Sequence, residues 1–148
     1  CLKAVLRTVR MIAKNRKSTP VIASVAPCML RAGFSNKGCE SPSQFIGYIK
    51  NAECIVTTSF HATAFAIIMH KNFFAEMNIS KSSRISDLLE LTGLSHRVMC
   101  DGVVSCDYEI SREEWEYADA QIEKERKKAF QYLKDITENK DVSYEQKN

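Results

Sequence analysis

Apolar residues recur along this chain in two arrangements, a helical period and short unbroken runs. In residues 2–17 they fall at helical spacing and leave the basic residues on the other face, which predicts an amphipathic helix. Short runs at 21–26, 54–58 and 73–75 are rich in β-branched or aromatic residues and predict strands buried on both faces. A further short strand is predicted at 98–99. The hydrophobic pattern therefore predicts a sheet of buried strands.

Helices are predicted between and after these strands, and most begin at a residue suited to that position. A serine hydroxyl accepts a hydrogen bond from a free N–H group of the first turn, and proline fits the first helical position. The predicted helices are 41–52, which starts at Ser41 and Pro42, 60–69, which Ser59 can cap, 86–91, and a long helix that starts at Ser111. The polar stretches 28–40 and 78–84 show no period and are predicted to be loops.

The alternation of strand and helix determines the predicted fold class. It implies right-handed crossovers that build a parallel sheet covered on both faces, so we predict one Rossmann-like α/β domain over residues 1–148. The chain is 45% apolar and 26% charged, which is typical of a globular domain of this length. A strand should precede helix 2–17, and the sequence begins with Cys1 rather than Met and opens directly in a helical pattern without a cap. We therefore expect the chain to be a fragment of a longer two-domain protein.

Charge and cysteine usage argue against several classes of function. The net charge is +3, and the basic face of helix 2–17 has no interleaved aromatic residues, so nucleic-acid binding is not expected. Without a signal peptide or an apolar run of roughly 18 residues, we expect a soluble, cytoplasmic protein with no transmembrane segment, whose six cysteines are free thiols. Metal-ligand spacings and the GxGxxG, Walker and GxSxG motifs are absent, so neither a metal nor a cofactor is predicted.

The candidate site lies at the carboxyl edge of the predicted sheet, where open parallel sheets bind their ligands. At Ser59, Phe60 and His61 a strand runs straight into a helix, which places free N–H groups and the positive end of the helix dipole beside an imidazole. The loops at this edge gather cations and hydroxyls, with Glu40 the one acid at the border. These residues are Arg31, Lys37, His61, Lys81 and Arg84, with Ser35, Ser59, Ser82 and Ser83. Together they predict an anionic ligand.

Each of these residues also has a purely structural interpretation. His61 could bond a neighbouring carbonyl of a buried helix, and Ser59 could act as an N-cap alone. Arg84 could pair with Asp87 near the start of its helix. Arg31 and Lys37 could be solvated, His70 and His96 are interpreted as surface residues, and Trp115 and Tyr117 are expected to pack the last helix on the body.

The central motifs resemble those of the polysaccharide pyruvyl transferase family. The segment at 41–68 reads SPSQFIGYIKNAECIVTTSFHATAFAII and is followed by KNFF at 71–74, similar to the family's SP-x-x-F, I-x-N-A, T-x-SFHG-x-x-FSI and KPF. SRISDLL at 83–89, then Gly93, Leu94 and Arg97, is similar to the family's SR, LL and GL-x-x-R. The resemblance covers roughly residues 20–100. Ala62 replaces the usual Gly, and Asn72 replaces the usual Pro.

This resemblance implies a specific activity. Members of the family are two-domain GT-B proteins that transfer the pyruvyl group of phosphoenolpyruvate to sugar hydroxyls as a ketal, and this chain resembles their C-terminal, donor-side half. It implies that His61 is a general acid or a phosphate ligand. It implies that Ser59 and the amides of Phe60 and His61 hold the phosphate, and that Arg84 is a second anion contact; Arg31 and Lys37 rest on their loop position alone. The implied partners are phosphoenolpyruvate, a saccharide acceptor and an N-terminal half-domain.

Two other functions fit the same residues. One is a GT-B-like half-domain that binds a sugar nucleotide or phosphate without pyruvyl transfer, and the other is a non-catalytic interaction module that uses the basic face of helix 2–17. The environment of His61 distinguishes catalysis from interaction. Pyruvyl transfer requires an exposed His61 among cations at the carboxyl edge, whereas an interaction module is expected to bury and satisfy it.

Overall fold

The chain folds into parallel strands connected by helices, in a computed structural model that describes residues 2–24, 35–38, 41–76, 83–99, 102–104 and 106–140. The strands are β1 (Val21–Ser24), β2 (Ser35–Gly38), β3 (Cys54–Thr57), β4 (Asn72–Glu76) and β5 (Val98–Met99). The helices are α1 (Leu2–Arg16), α2 (Pro42–Asn51), α3 (Phe60–Ile68), α4 (Ser83–Leu91) and α5 (Arg112–Lys140). A short 3₁₀ turn, Ser95–Arg97, leads into β5.

The described strands form two parallel sheets. β1 pairs with β2, and β3, β4 and β5 follow one another with β4 in the middle. Thr57 at the end of β3 lies opposite Ala75 of β4, so the carboxyl ends of these two strands meet at one edge. Because all the pairings are parallel, each connection crosses from one edge of the sheet to the other. The predicted Rossmann-like α/β class is confirmed.

The core forms where α3, α4 and α5 pack around β4. Phe73 and Ala75 of β4 are fully buried. The buried cluster also contains Ala66 and Ile67 of α3, Ile85 and Leu89 of α4, and Leu94, Ile110 and Ala118. Trp115 packs against this cluster as predicted, whereas Tyr117 is 53% exposed. β4, whose carboxyl end lies beside that of β3, is therefore held by this buried cluster.

The predicted helix starts at Ser41 and Ser111 are confirmed by their hydrogen bonds. The Ser41 hydroxyl accepts from the Gln44 N–H at 3.3 Å, and Pro42 occupies the first helical position. At α5 the Glu114 N–H donates to the Ser111 hydroxyl at 3.2 Å, and the Ser111 N–H donates to the Glu114 carboxylate at 2.7 Å. This reciprocal pair is a capping box, which satisfies two N–H groups at once.

Both predicted loops are wrong in part. Residues 35–38 of the stretch 28–40 form β2, and residues 83–84 of the stretch 78–84 form the first turn of α4. β2 reads SNKG, a sequence without a hydrophobic pattern, and pairing with β1 defines it as a strand. α4 starts early because Ile85 is buried and extends the apolar stripe of the helix toward its N-terminus. Residues 25–34, 39–40 and 77–82 lie outside the described residues.

His70 and His96 are surface residues as predicted, but the structure gives both of them partners on α5. The His70 ring stacks on Trp115 with centroids 4.8 Å apart, and its Nε2 lies 3.0 Å from the Asp119 carboxylate. His96 Nε2 lies 2.9 Å from the Glu114 carboxylate. These partners are distant in sequence, so no local pattern indicates them. Exposed pairs of this kind add little stability, but they orient α5 on the body.

Arg97 is a buried cation that ties β4 to the segment preceding α5. Its side chain donates to the backbone carbonyls of Phe73 at 3.0 Å, Asp107 at 2.6 Å and Tyr108 at 2.9 Å. The guanidinium also lies 4.3 Å from the centroid of the Phe74 ring. Burial lowers the pKa of Arg97, yet the hydrogen bonds to these carbonyls replace the water contacts that the guanidinium loses on burial. Only the family motif draws attention to this residue in the sequence.

Gly93 and Gly47 offer a matched pair of alanine substitutions with opposite expected effects. Gly93 has φ +72°, and an added Cβ would lie 2.8 Å from the Tyr117 ring, so Gly93→Ala should lower the free energy of unfolding by about 1–2 kcal/mol. Gly47 lies inside α2 with no atom within 4 Å of the added Cβ, so Gly47→Ala should raise it by about 0.5–1 kcal/mol. Urea unfolding measures both, and equal effects would contradict the assignment.

None of the helices in the described part of the chain is both long enough and apolar enough to cross a bilayer.

Candidate functional site

The junction between β3 and α3 is a short turn held by its own hydroxyls. Two residues separate the end of β3 at Thr57 from the start of α3 at Phe60. The Ser59 N–H donates to the Thr57 hydroxyl at 3.0 Å, and the Ser59 hydroxyl accepts from the Ala62 N–H at 3.5 Å. Ser59 is therefore the N-cap of α3, as the sequence predicts. The turn fixes the direction in which the first N–H groups of the helix point.

Two N–H groups at the start of α3 are available to a ligand. The helix's own hydrogen bonding begins where the Thr63 N–H donates to the Ser59 carbonyl at 3.0 Å. Within the described residues no hydrogen bond uses the N–H groups of Phe60 and His61. A helix N-terminus leaves such groups without internal acceptors, and the helix dipole favours an anion there.

His61 is exposed at this helix start. Its ring lies edge-on to the Phe60 ring with centroids 5.7 Å apart. In the part of the chain that the structure describes, the imidazole forms neither a hydrogen bond nor an ion pair. The structural interpretation of a buried, satisfied histidine therefore does not describe this residue. An exposed imidazole without a local partner is free to exchange a proton with a bound molecule.

Arg84 lies next to the same helix start although it is 24 residues away in sequence from Phe60. Its guanidinium carbon is 5.4 Å from the centroid of the Phe60 ring, within the range of a cation–π contact. The Arg84 side chain is exposed, and no ion pair joins it to Asp87 among the described residues. The structure thus brings together a cation, an imidazole and two available N–H groups.

The other residues of the predicted site are not placed by the structure. Arg31, Lys81 and Ser82 lie outside the described residues, and of Lys37 and Ser35 only the backbone position in β2 is described. Ser83 is likewise described only as the first residue of α4. The roles of Arg31 and Lys37 remain predictions from the sequence.

Glu76 is an acid at this edge that the sequence analysis missed. It is the last residue of β4, one position beyond the Ala75 that pairs with Thr57, and it is only 4% exposed. Its carboxylate accepts a hydrogen bond from the Gly102 N–H at 3.3 Å. The carboxylate is therefore directed toward the segment after β5. In the sequence, the position of an acidic residue at the end of a predicted buried strand could have identified Glu76.

The two departures from the family pattern have structural consequences. The Asn72 side chain accepts a hydrogen bond from the Ile110 N–H at 3.0 Å, so it connects β4 to the residue preceding the α5 cap. Proline at this position would lack that side-chain acceptor. Ala62 is 6% exposed, so its methyl group is packed inside the protein rather than exposed at the helix start.

Burial keeps one of the two described thiols neutral, and neither belongs to a metal-binding cluster of described residues. Cys54 and Cys106 are free, while Cys1, Cys28, Cys39 and Cys100 lie outside the described residues. Burial raises the pKa of the Cys54 thiol to about 11, and the nearby Tyr108 hydroxyl and Arg97 guanidinium offset only part of this effect. Among the residues with described positions, no group of three or more His, Cys, Asp or Glu side chains could hold a metal ion.

The raised pKa of Cys54 predicts a loss of stability in alkaline solution. The unfolded thiol ionises near pH 9.0 and the folded thiol near about pH 11. The folded state therefore holds the thiol proton more tightly than the unfolded state does. The free energy of unfolding that this contributes is fully present below about pH 9, and about 2–3 kcal/mol of it is lost as the pH rises to about 11. Urea unfolding between these pH values should show a shallower decline for Cys54→Ala than for the unchanged chain. Parallel declines would contradict the burial of this thiol.

Comparison with known proteins agrees with the motifs. The sequence model of a family described as Polysaccharide pyruvyl transferase matches residues 28–78, which include the whole stretch from β2 to β4 and the Ser59 to His61 turn but not Arg84. No curated protein and no solved structure matches the chain. Over this stretch the match supports the family predicted from the motifs: residues 28–78 are similar to the polysaccharide pyruvyl transferase family.

Proposed function

We propose that this chain is the donor-side half of a cytoplasmic pyruvyl transferase that moves the pyruvyl group of phosphoenolpyruvate to a saccharide acceptor during cell-surface polysaccharide assembly. One observation carries the proposal. The available N–H groups of Phe60 and His61, the exposed imidazole and the Arg84 guanidinium lie together at the carboxyl edge of β3. Phosphoenolpyruvate carries a phosphate and a carboxylate, so it needs two anion contacts close together.

The start of α3 suits the phosphate. Its N–H groups and the positive end of the helix dipole favour an anion without any side-chain charge. The Ser59 hydroxyl, which accepts the long 3.5 Å bond from the Ala62 N–H, retains its own proton for donation to a phosphate oxygen.

Arg84 suits the carboxylate. A guanidinium can donate two parallel hydrogen bonds to a carboxylate, and such charge-assisted pairs are among the strongest polar contacts in proteins. The contact with the Phe60 ring holds the guanidinium beside the α3 start. An arginine restrained in this way loses less conformational freedom when it binds its ligand.

His61 is the proposed general acid. Proton transfer from its imidazole to the methylene carbon of phosphoenolpyruvate makes that carbon a methyl group and leaves the central carbon electrophilic. One sugar hydroxyl adds to the central carbon, the bond from this carbon to the phosphate oxygen breaks, and a second hydroxyl completes the ketal. The hydroxyls release two protons, one of which restores the imidazolium while the other leaves with the phosphate. Groups that transfer protons in this way accelerate a reaction by about 10²–10⁴-fold.

A second half-domain is required in this proposal. We propose that this chain is part of a longer polypeptide, termed the parent polypeptide below, whose N-terminal half binds the acceptor. The cleft between the halves would orient the acceptor and exclude water. We therefore expect the 148-residue chain to bind the donor and to lack transferase activity by itself.

The interaction-module alternative receives less support from the structure. It requires a buried and satisfied His61, whereas His61 is exposed. The sugar-nucleotide alternative uses the same anion site, because a diphosphate also suits a helix N-terminus. Preferential binding of phosphoenolpyruvate or of a sugar nucleotide distinguishes pyruvyl transfer from this alternative.

Substitution of Arg84 tests the donor site. Isothermal titration of the parent polypeptide with phosphoenolpyruvate should show about 10-fold to 100-fold weaker binding for Arg84→Gln, because the carboxylate loses a charge-assisted pair. Arg112→Gln is the matched control, since Arg112 is 87% exposed on α5 and pairs only locally with Glu116 among the described residues. Equal affinities of the two variants would contradict the proposed role of Arg84. Tighter binding of a uridine-diphosphate sugar would favour the sugar-nucleotide alternative.

A further inference from the structure

A cavity of about 600 Å³ separates the two sheets. Val21 and Ala23 of β1 line one side, and the whole of β3 lines the other. Residues of α1 and α2, among them Val9, Ile12 and Phe45, close its faces, so most of the lining is apolar. The cavity extends to Ser59 and Ala62 at the start of α3.

The strands on the two sides of this cavity each have a partner on one side only. In the described part of the chain, β1 pairs with β2, and β3 pairs with β4. A strand in the interior of a parallel sheet pairs on both sides, and unpaired N–H and C=O groups along an apolar cavity are unfavourable. Among the described strands, both edges therefore lack a partner at the same place.

The orientation of α1 shows which direction a chain segment in the cavity would take. Arg16 at the end of α1 bonds the Glu53 carboxylate at 2.7 Å, just before β3 begins. Toward the other end of α1, the Thr8 hydroxyl donates to the Gly102 carbonyl at 2.6 Å, after β5 has ended. α1 therefore starts near the carboxyl edge and ends near the amino edge. A helix in this orientation follows a strand that ends at the carboxyl edge.

We propose that one extended strand fills this cavity, parallel to β1 and β3, and that the occupant is the segment of the parent polypeptide that leads directly into α1. The sheet then becomes continuous, in the order β2, β1, new strand, β3, β4, β5. This is the order of a dinucleotide-binding type of doubly wound sheet, in which the first strand lies in the middle. A right-handed crossover through α1 connects the new strand to β1.

The chemistry of the occupant follows from the lining. A strand with neighbours on both sides and helices on both faces is apolar throughout, typically with Val, Ile or Leu, and about 5–6 residues long. Its carboxyl end lies next to Ser59 and Ala62, because the cavity extends to those residues. The new strand and β3 leave the sheet in opposite directions, which makes the space between them the crevice where such sheets bind ligands. The segment joining the new strand to α1 therefore forms one wall of that crevice.

Hydrogen exchange in the parent polypeptide tests this inference. Parallel strands alternate their hydrogen bonds between the two neighbours, so the new strand should protect the alternate β3 amides that β4 leaves unbonded. We expect those amides and the segment preceding α1 to exchange at least about 100-fold more slowly than unprotected amides. In the isolated 148-residue chain the same β3 amides should exchange rapidly, while β4, paired on both sides, stays protected and serves as control.

The parent polypeptide decides the outcome even if the shorter chain does not fold. Rapid exchange of the alternate β3 amides in the parent polypeptide would overturn the inference, and so would helical protection of the segment preceding α1. The inference rests on the proposed parent polypeptide but not on the proposed donor site. If β3 is protected but phosphoenolpyruvate does not bind, only the proposed donor site is contradicted. If phosphoenolpyruvate binds but the alternate β3 amides exchange rapidly, only the proposed strand is contradicted.

Discussion

Replacement of Arg97 with methionine should lower the free energy of unfolding by about 3–5 kcal/mol. Arg97 is 1% exposed, and its guanidinium serves the carbonyls of Phe73, Asp107 and Tyr108. Methionine retains much of the volume but donates no hydrogen bond, so the buried Phe73 carbonyl and the part-buried carbonyls of Asp107 and Tyr108 lose their partner. Each unsatisfied buried group costs about 1–3 kcal/mol.

Urea unfolding of three variants measures this effect. Arg97→Met should show the full loss, and Arg97→Lys an intermediate one, because an ammonium group retains the charge but cannot reach all the carbonyls in one plane. Arg112→Met, at a position that is 87% exposed, should leave stability nearly unchanged. A loss below about 1 kcal/mol for Arg97→Met would show that the guanidinium does not hold the segment before α5.

Replacement of His61 with glutamine should lower kcat of the parent polypeptide by about 10²–10⁴-fold. Glutamine can donate a hydrogen bond from a similar position but cannot give up a proton. If His61 acts as general acid, KM for phosphoenolpyruvate should change little, because the lost interaction is made in the transition state. A role in phosphate binding predicts the opposite, with a large rise in KM.

The measurement is phosphate release from phosphoenolpyruvate in the presence of the acceptor glycan. His96→Gln is the matched control, because His96 is also exposed but pairs with Glu114 at the start of α5. The control should release phosphate at the rate of the unchanged enzyme, whereas His61→Gln should be slower by the stated factor. Full activity of His61→Gln would remove this residue from the mechanism.

The sequence predicts the strands and helices whose signals are local. β3, α3 and β4 are apolar runs bounded by polar residues, and Ser41 and Ser111 mark helix starts by their own chemistry. β2 escapes prediction because its four residues carry no hydrophobic alternation and exist as a strand only through pairing with β1. Local patterns cannot report a partner elsewhere in the chain.

The same distinction applies to the candidate site. The junction at Ser59, Phe60 and His61 is predictable because a strand followed at once by a helix always presents free N–H groups. The contact between Arg84 and the Phe60 ring joins residues 24 positions apart and needs the packing of α4 against α3. The buried role of Arg97 also depends on non-local contacts, with carbonyls up to 24 residues away.

The central claim is that the start of α3 and Arg84 hold phosphoenolpyruvate, and selective ¹⁵N labelling of phenylalanine and histidine tests it most directly. The account predicts that phosphoenolpyruvate shifts the amide signals of Phe60 and His61 in the parent polypeptide, that inorganic phosphate shifts them only at higher concentration, and that Arg84→Gln weakens the first response alone. Unchanged Phe60 and His61 amides at saturating phosphoenolpyruvate, or a stronger response to a uridine-diphosphate sugar, would contradict it.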